Sequence, residues 1–101
     1  MPNAQETGLN DEASVLLAYA KGSRKRRHIL QALELAPKNC NQLAQELGSD
    51  WWTTQKHLQQ LMKYSLVKGI TFGRIKFYKL TPQGELISKS ILLKLRERAT
   101  A

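Results

Sequence analysis

The segment LAQELGSDWWTTQKHLQQLMKYSLVKG, residues 43–69, decides the fold of this chain. Asp50 is a favourable N-cap, and the apolar residues after it recur at helical spacing, so we expect a helix over residues 51–64. At about 3.6 residues per turn, this helix has an apolar stripe and an opposite polar and basic arc. The stripe contains Trp51, Thr54, Leu58, Leu61 and Met62, and the arc contains Trp52, Lys56, Gln59, Gln60 and Lys63, with Thr53 and Gln55 at its edges.

Three helices are predicted ahead of this one. A polar tail, flexible by composition, occupies residues 1–9, and a first helix is expected over residues 10–22. Ser23 can cap a second helix, whose apolar residues recur at helical spacing until Pro37 stops it. Asn39 can cap a short third helix that carries the sequence CNQLAQELG.

The period of the sequence changes after the long helix. LVKGITFGRIKFYKL, residues 66–80, is rich in β-branched and aromatic residues in rough alternation, with a turn at residues 72–74. This pattern predicts a two-stranded hairpin. Thr81 followed by Pro82 is typical of a helix start, so a final helix is expected over residues 82–101. The predicted fold class is mainly α with a small β-hairpin.

The charge of the chain predicts a polyanionic partner. Lys and Arg number 16 against 8 acidic residues, which gives a net charge of +8 at pH 7. Residues 51–84 contain no acidic residue at all, whereas an ordinary soluble surface intersperses the two signs. Nucleic acid and an anionic membrane surface are the polyanions that such a balance favours. The basic residues of this window are Lys56, Lys63, Lys68, Arg74, Lys76 and Lys79.

A second basic cluster, RKRRH at residues 24–28, stands at the start of the second predicted helix. Cations at a helix N-terminus oppose the helix dipole, so helix stability does not explain them. We therefore expect Arg24, Lys25 and Arg27 to contact phosphates, whose neutralisation releases counterions. The alternative is a solvated face that aids solubility.

An outward tryptophan beside glutamine and lysine side chains is typical of a DNA-reading surface. Glutamine can contact adenine edges, lysine can contact guanine or phosphate, and an aromatic face can pack on a thymine methyl group. The helix N-terminus would add backbone N–H groups suited to phosphate. Alternatively, Trp52 covers a neighbouring helix or a dimer contact.

The opening segment resembles the helix-turn-helix of prokaryotic and archaeal winged-helix transcriptional regulators of the ArsR and MarR type. That pattern has a leucine–alanine helix, a glycine turn, a recognition helix ending in His-Leu-x-x-Leu, and a wing followed by LTxxG. The resemblance covers about residues 23–88, and its motif positions are Leu43, Ala44, Leu47, Gly48, His57, Leu58, Leu61, Leu66, Val67, Thr81 and Gly84.

The resemblance implies a winged helix-turn-helix over residues 23–81, with flanking N- and C-terminal helices and usually a homodimer. It implies that the outer face of the helix at residues 51–64 enters the DNA major groove. Arg74 and Lys76 at the wing tip would reach phosphates or the minor groove, where arginine is electrostatically favoured. The residues that the resemblance places in the major groove are Trp52, Thr53, Gln55, Lys56 and Gln59.

The terminal helices carry more apolar residues than one side of a small domain needs. Surplus apolar surface of this kind marks a partner interface, and a symmetric dimer is the simplest arrangement. The alternative is ordinary packing of these helices within one subunit. The residues that we assign to dimerisation are Leu16, Leu17, Leu86, Ile87, Ile91, Leu92 and Leu95.

Several classes of function lack a sequence signal. No apolar run reaches the roughly 18 residues of a membrane helix, and the polar N-terminus lacks the order of a signal peptide, so a cytoplasmic, nucleoid-associated protein is expected. Cys40, the single cysteine, cannot form an internal disulfide, and no spacing supports a metal site. No nucleophile–base pair or glycine-rich phosphate loop is found, so neither an enzyme nor a cofactor is expected.

Two kinds of function therefore compete. The first is a homodimeric, repressor-like transcriptional regulator whose partner is double-stranded DNA; a weakly specific architectural chromatin protein is a version of it. The second is a winged-helix module that binds another protein, because a fold does not fix its function. RNA binding stays open on the sequence alone.

Overall fold

The computed structural model describes residues 11–18 and 20–90, which contain five helices and three short strands. No helix within these ranges is long and apolar enough to span a bilayer. The predicted fold class, mainly α with a small β-hairpin, is confirmed. The elements are α1 (Asp11–Ala18), α2 (Ser23–Leu35), β1 (Lys38–Asn39), α3 (Cys40–Leu47), α4 (Trp51–Lys63), β2 (Val67–Phe72), β3 (Ile75–Leu80) and α5, which is helical over residues 82–90.

The junction between the first two helices differs from the prediction. α1 ends at Ala18, short of the expected residue 22. Gly22 takes the left-handed backbone conformation, with φ of 84°, and is the N-cap residue of α2 without a side-chain cap. The expected cap by Ser23 is therefore wrong, because Ser23 is already the first helical residue. α2 ends before Pro37, as predicted.

Side-chain caps fix both helices of the helix-turn-helix, as predicted. Asn39 and Gln42 form a capping box: each side-chain oxygen accepts from the backbone N–H of the other residue, at 2.8 Å in both directions. Gly48 ends α3 with φ of 63°, a conformation that favours glycine. Asp50 caps α4 by accepting from Thr53 N at 2.7 Å.

The sheet has a third strand that the sequence did not predict. β2 and β3 form the expected antiparallel hairpin, with Phe72 opposite Ile75 at its end. β1 pairs antiparallel with the other edge of β3, so the strand order is β1-β3-β2. β1 contains only two residues, between Pro37 and the start of α3. A strand of two residues is too short to show an alternation of apolar and polar side chains. This strand therefore forms because it pairs with β3.

One apolar core lies between the helices and the base of the hairpin. Its members are Ala13, Leu17, Ile29, Leu30, Ala32, Leu33, Cys40, Leu43, Leu58, Leu61, Leu66, Val67, Tyr78, Leu80 and Ile87. Leu17 and Ile87, which we predicted for dimerisation, are both 0% exposed in this core. That assignment is corrected, because their side chains are covered by packing within one chain and offer no surface to a partner.

α5 docks on the turn between α4 and β2 through the LTxxG motif. Thr81 Oγ1 donates to Ser65 O at 2.6 Å and accepts from Gly84 N at 2.9 Å, so Thr81 caps α5 and ties it to the turn. Thr81 N also donates to Leu66 O at 3.1 Å. Gly84 lies so close to that carbonyl that a Cβ atom at residue 84 would overlap Leu66 O. The predicted helix start at Thr81 is confirmed.

Candidate nucleic-acid interface

α4 presents its polar and basic arc to solvent, as predicted. Thr54, Leu58 and Leu61 are all 0% exposed, which fixes the rotation of the helix about its own axis. Trp52, on the opposite side, is 75% exposed. The exposed residues of the arc are Trp52, Lys56, Gln59, Gln60 and Lys63.

Trp51 supports the exposed Trp52. The two indole rings meet edge to face, with centroids 4.9 Å apart and planes at 89°, an arrangement worth about 0.5–1.5 kcal/mol beyond burial. Trp51 itself is 41% exposed, although we predicted it for the apolar stripe, and its backbone carbonyl accepts from Cys40 Sγ at 3.7 Å. Trp52 is therefore oriented by a protein contact while most of its surface stays accessible.

The N-terminus of α4 is occupied by the carboxylate of the protein itself. Asp50 accepts from Thr53 N at 2.7 Å and from Thr53 Oγ1 at 3.1 Å. The backbone N–H of Thr53 is the main reason that the pKa of Asp50 lies below its usual value, followed by the Thr53 hydroxyl, with a smaller contribution from the charge of Lys25. Asp50 therefore already engages one of the backbone N–H groups at this helix end, that of Thr53.

The basic run RKRRH divides between surface and interior. Arg24 and Lys25 are exposed, and Lys25 Nζ donates to Ser49 Oγ in the turn before α4. Arg27 is half-buried, and its Nη1 donates to Leu17 O at 2.6 Å. Lys25 thus stands beside the start of α4, whereas a phosphate contact by Arg27 would have to compete with its bond to α1.

Arg26, in the middle of this run, is a buried junction residue that sequence reasoning missed. The residue is 2% exposed. Its Nε donates to Leu16 O at 2.9 Å and its Nη2 donates to Lys21 O at 2.8 Å. Its Nη1 donates to Gln60 Oε1 at 2.9 Å and lies 3.2 Å from His57 Nδ1. Arg26 therefore joins α1 to α4. The signal was its helical spacing, because position 26 falls on the buried stripe of α2.

His57 packs beside Arg26 in this junction and is half-buried. Burial lowers the pKa of the His57 imidazole, and the positive charge of Arg26 lowers it further. Burial also lowers the pKa of the Arg26 guanidinium. A neutral imidazole suits this contact, because Nδ1 can then accept a hydrogen bond from the guanidinium.

A groove of about 440 Å³ lies between the start of α4 and the wing. Gln55, predicted to face the major groove of DNA, is half-buried on the wall of this groove, and its side-chain oxygen accepts from Tyr78 Oη at 3.4 Å. Lys76 Nζ lies 5.4 Å from the centroid of the Tyr78 ring, which is a cation–π distance. The groove is lined by Asn39, Cys40, Asn41, Trp51, Gln55, Arg74, Ile75, Lys76 and Tyr78.

The wing tip carries cations and apolar side chains together. The chain turns at Gly73, with φ of 64°, and places Arg74 at the tip. Arg74 and Lys76 are both exposed, so both predicted wing cations are accessible to a polyanion. Phe72 and Ile75 flank the turn, and they are 78% and 51% exposed. Among the residues described, neither α4 nor the wing takes part in a salt bridge.

The predicted dimerisation residues are spread over several environments. Leu16 is half-buried, and its carbonyl accepts from Arg26. Leu86 is 57% exposed, so it offers apolar surface on α5. Leu17 and Ile87 are buried in the core, as described above. The predicted contacts Ile91, Leu92 and Leu95 lie outside the residues that the structure describes.

Several solved structures have a similar fold, and one of them is described as a winged helix-turn-helix domain. The homodimeric winged helix-turn-helix DNA-binding domain of Mb0332 from Mycobacterium bovis, a possible ArsR-family transcriptional regulator, has a TM-score of 0.72 and 21% identity, over 98% of this chain and 91% of that chain. The adhesin competence repressor AdcR from Streptococcus pyogenes has a TM-score of 0.69 and 18% identity, over 83% of this chain and 61% of that chain. ZitR from Lactococcus lactis in complex with DNA has a TM-score of 0.63 and 21% identity, over 71% of this chain and 51% of that chain.

These similarities confirm the predicted winged helix-turn-helix fold. The chain spans 61% of the AdcR chain and 51% of the ZitR chain, so each of those proteins has a substantial part with no counterpart in the match. No family model matches the chain, and no curated protein matches it in sequence.

Proposed function

We propose that this chain is a homodimeric, sequence-reading transcriptional regulator, repressor-like in action, that binds double-stranded DNA. The main support for the proposal is the outward arc of α4. It exposes Trp52, Lys56 and Gln59, while the opposite side of the helix is buried in the core. The fold neighbours support it: the Mb0332 domain is a homodimeric DNA-binding domain, AdcR is a repressor and the ZitR structure contains DNA.

In this proposal α4 lies in the major groove. An α-helix is about 10–12 Å across and the groove is about 12 Å wide, so Trp52, Lys56 and Gln59 meet the base edges. Thr53 stands beside them with its hydroxyl proton committed to the N-cap carboxylate, so it contacts DNA as an acceptor or through its methyl group. Gln55, held on the groove wall by Tyr78, reads the edge of the site.

Cations at the start of α4 and on the wing would hold the DNA backbone. Arg74 and Lys76 line the groove next to α4, and Lys25 borders the turn before α4. A duplex that lies along α4 therefore meets positive charge at the helix start and at the wing, and Arg24, exposed beside Lys25, extends the first of these sites. Arg27 contributes only where its bond to α1 opens.

We propose that α5, together with the residues that follow it in the chain, forms the dimer, with Leu86 as its contact within the described part of the chain. A two-fold axis would place the two copies of α4 about 34 Å apart, which is one turn of B-DNA. The proposed regulator acts on nucleoid DNA in the cytoplasm and needs neither a cofactor nor a catalytic group, in line with fold neighbours that are named as transcriptional regulators.

Lys56→Ala and Arg74→Ala test the site. Each variant should weaken binding to a labelled duplex and reduce the slope of log affinity against log salt by up to about 1, because each removes one cation from the backbone or base contacts. Fluorescence anisotropy at several salt concentrations measures both quantities. Lys89→Ala is the matched control, since it removes an exposed lysine from α5 and should bind like the wild type.

If Lys56→Ala and Arg74→Ala both bind like the wild type at every salt concentration, the site assignment is wrong. A steep salt slope with little preference between duplex sequences would favour the architectural version of the function. No binding to duplex DNA and normal elution from heparin would favour a protein-interaction module instead.

A further inference from the structure

The outer face of the wing carries a row of apolar side chains. Phosphate contacts do not explain this row, because apolar groups do not bind phosphate. In the ladder between β2 and β3, Ile70 pairs with Phe77, and Phe72 pairs with Ile75. Residues directly opposite one another, and residues two apart on one strand, share a face of a sheet. These four side chains therefore form a single row, the wing stripe.

The wing stripe faces away from the core. On the other face of the same strands, Val67, Tyr78 and Leu80 are buried against the helices at the base of the hairpin, whereas Gly69, Thr71 and Lys76 are exposed nearer the tip. On the stripe itself, Ile70 is 40% exposed and Phe72 is 78% exposed. An antiparallel sheet with one face on the core normally carries polar residues on its other face. Large apolar side chains there indicate that the wing binds a surface with apolar character.

Cations stand at both ends of the wing stripe. Lys68 and Lys79 pair across the ladder on the same face, and Arg74 follows Phe72 by two residues at the turn. No acidic residue occurs anywhere between positions 51 and 84. An apolar row between cations complements a surface with apolar walls between lines of negative charge. The minor groove of duplex DNA has this composition, because sugar rings form its walls and phosphates line both rims.

We propose that the wing tip inserts Phe72 as an apolar wedge into the minor groove and kinks the duplex at that point, with Ile75 packed behind it. The inference rests on the proposed DNA binding. Apolar side chains that enter the minor groove partly unstack a base step and bend the duplex by about 20–90°. Arg74 is attracted by the negative potential of the same groove, so the cation guides the tip and the phenyl ring deforms the DNA.

Phe72→Ala tests the wedge, with Thr71→Ala as the matched control. Both residues are exposed at the end of β2, but Thr71 lies on the opposite face of the wing. Because Phe72 is 78% exposed, its truncation should leave thermal unfolding unchanged. The probe is a duplex of about 30 base pairs, a length over which a bend is measurable, selected on the wild type from a random pool. Energy transfer between dyes at its two ends reports the bend.

The wild type and Thr71→Ala should shorten the end-to-end distance of the bound duplex, whereas Phe72→Ala should leave the duplex nearly straight. Affinity should fall about tenfold in Phe72→Ala, which is the effect of removing one buried aromatic side chain. The salt slope should not change, because no charge is removed. Selected duplexes should be enriched in pyrimidine–purine steps beneath the wing, since these steps kink most easily.

A straight duplex in the wild-type complex, or an equal bend in the wild-type and Phe72→Ala complexes, overturns the wedge. The proposed DNA binding is then still tested separately by Lys56→Ala and Arg74→Ala. Failure of the wild type to bind any duplex overturns both proposals. Two other results also overturn the wedge, provided that Phe72→Ala still bends DNA. If the variant alters self-association, the wing stripe contacts a second copy of the chain. If the variant no longer binds vesicles of anionic phospholipid, the wing stripe contacts a membrane.

Discussion

Replacing Gly84 by alanine should loosen α5 from the turn between α4 and β2. The added Cβ would overlap Leu66 O and lie 2.9 Å from Leu66 C. These are backbone atoms, which cannot rotate out of the way as the end of a long side chain can. The new methyl group therefore fits only if α5 moves away from the turn.

The size of the effect follows from the hydrogen bonds that this movement breaks. Two hydrogen bonds join α5 to the turn, from Thr81 Oγ1 to Ser65 O and from Thr81 N to Leu66 O. At about 1 kcal/mol net for each bond, their loss costs about 2 kcal/mol, and the better helix propensity of alanine returns up to about 1 kcal/mol. We expect the free energy of unfolding to fall by about 1–2 kcal/mol and the unfolding midpoint to fall by about 5–15 °C.

Thermal unfolding followed by circular dichroism, at equal protein concentrations, measures this change. Gly69→Ala is the matched control, because its Cβ would meet the flexible end of the Lys76 side chain, which can swing away. Its loss of stability should stay below about 1 kcal/mol. A midpoint for Gly84→Ala within a few degrees of the wild type, or an equal loss in Gly69→Ala, would refute the argument that contact with Leu66 docks α5.

Two further predictions concern the junction at Arg26. Arg26→Lys should lower the free energy of unfolding, measured by chemical denaturation, by about 2–3 kcal/mol, because one ammonium group cannot reach the acceptors on α1, on the following turn and on α4 together. Arg24→Lys is the control at an exposed position and should be as stable as the wild type. Equal losses in the two variants would contradict the role of Arg26 at the junction. The second prediction is that the free energy of unfolding falls as the pH drops below the ordinary histidine pKa of about 6.5. The pKa of His57 is lowered in the folded chain, so the unfolded chain binds the proton at a higher pH than the folded chain does. In unfolding at a series of pH values, His57→Gln should flatten this dependence and His28→Gln should retain it; the reverse would rule out His57 as its source.

The features that the sequence predicted are determined by residues close together in the chain. The caps at Asn39 and Asp50 each join groups three residues apart, so the starts of α3 and α4 follow from local chemistry. The rotation of α4 follows from its apolar period, since Leu58 and Leu61 mark the buried side. Thr81 followed by Pro82 predicted the start of α5, and Thr81 caps that helix directly.

The features that the sequence did not predict depend on distant partners. β1 exists because residues 38–39 pair with residues 77–78 of β3, and no pattern within a two-residue strand announces that pairing. Arg26 bonds to Gln60, 34 positions away, so it is a junction residue only in the folded chain. Asp50 shows a different kind of limit: it was predicted as a cap, and its carboxylate accepts from Thr53 N, one of the backbone N–H groups that we expected to suit phosphate.

The residues that contact DNA in this proposal depend on two others that lie away from the surface. Arg26 fixes α4 against α1, and the close approach at Gly84 fixes α5 against the turn that leads from α4 into the wing. A duplex contacts α4 and the wing at the same time. Any motion of one element relative to the other must therefore be lost on binding, and this loss of conformational entropy lowers the affinity. A change at either junction residue removes no cation from the DNA surface. It therefore weakens binding while the salt slope stays constant, whereas a change at Lys56 or Arg74 alters both. The salt slope thus separates cations that touch DNA from residues that hold the reading surface in place.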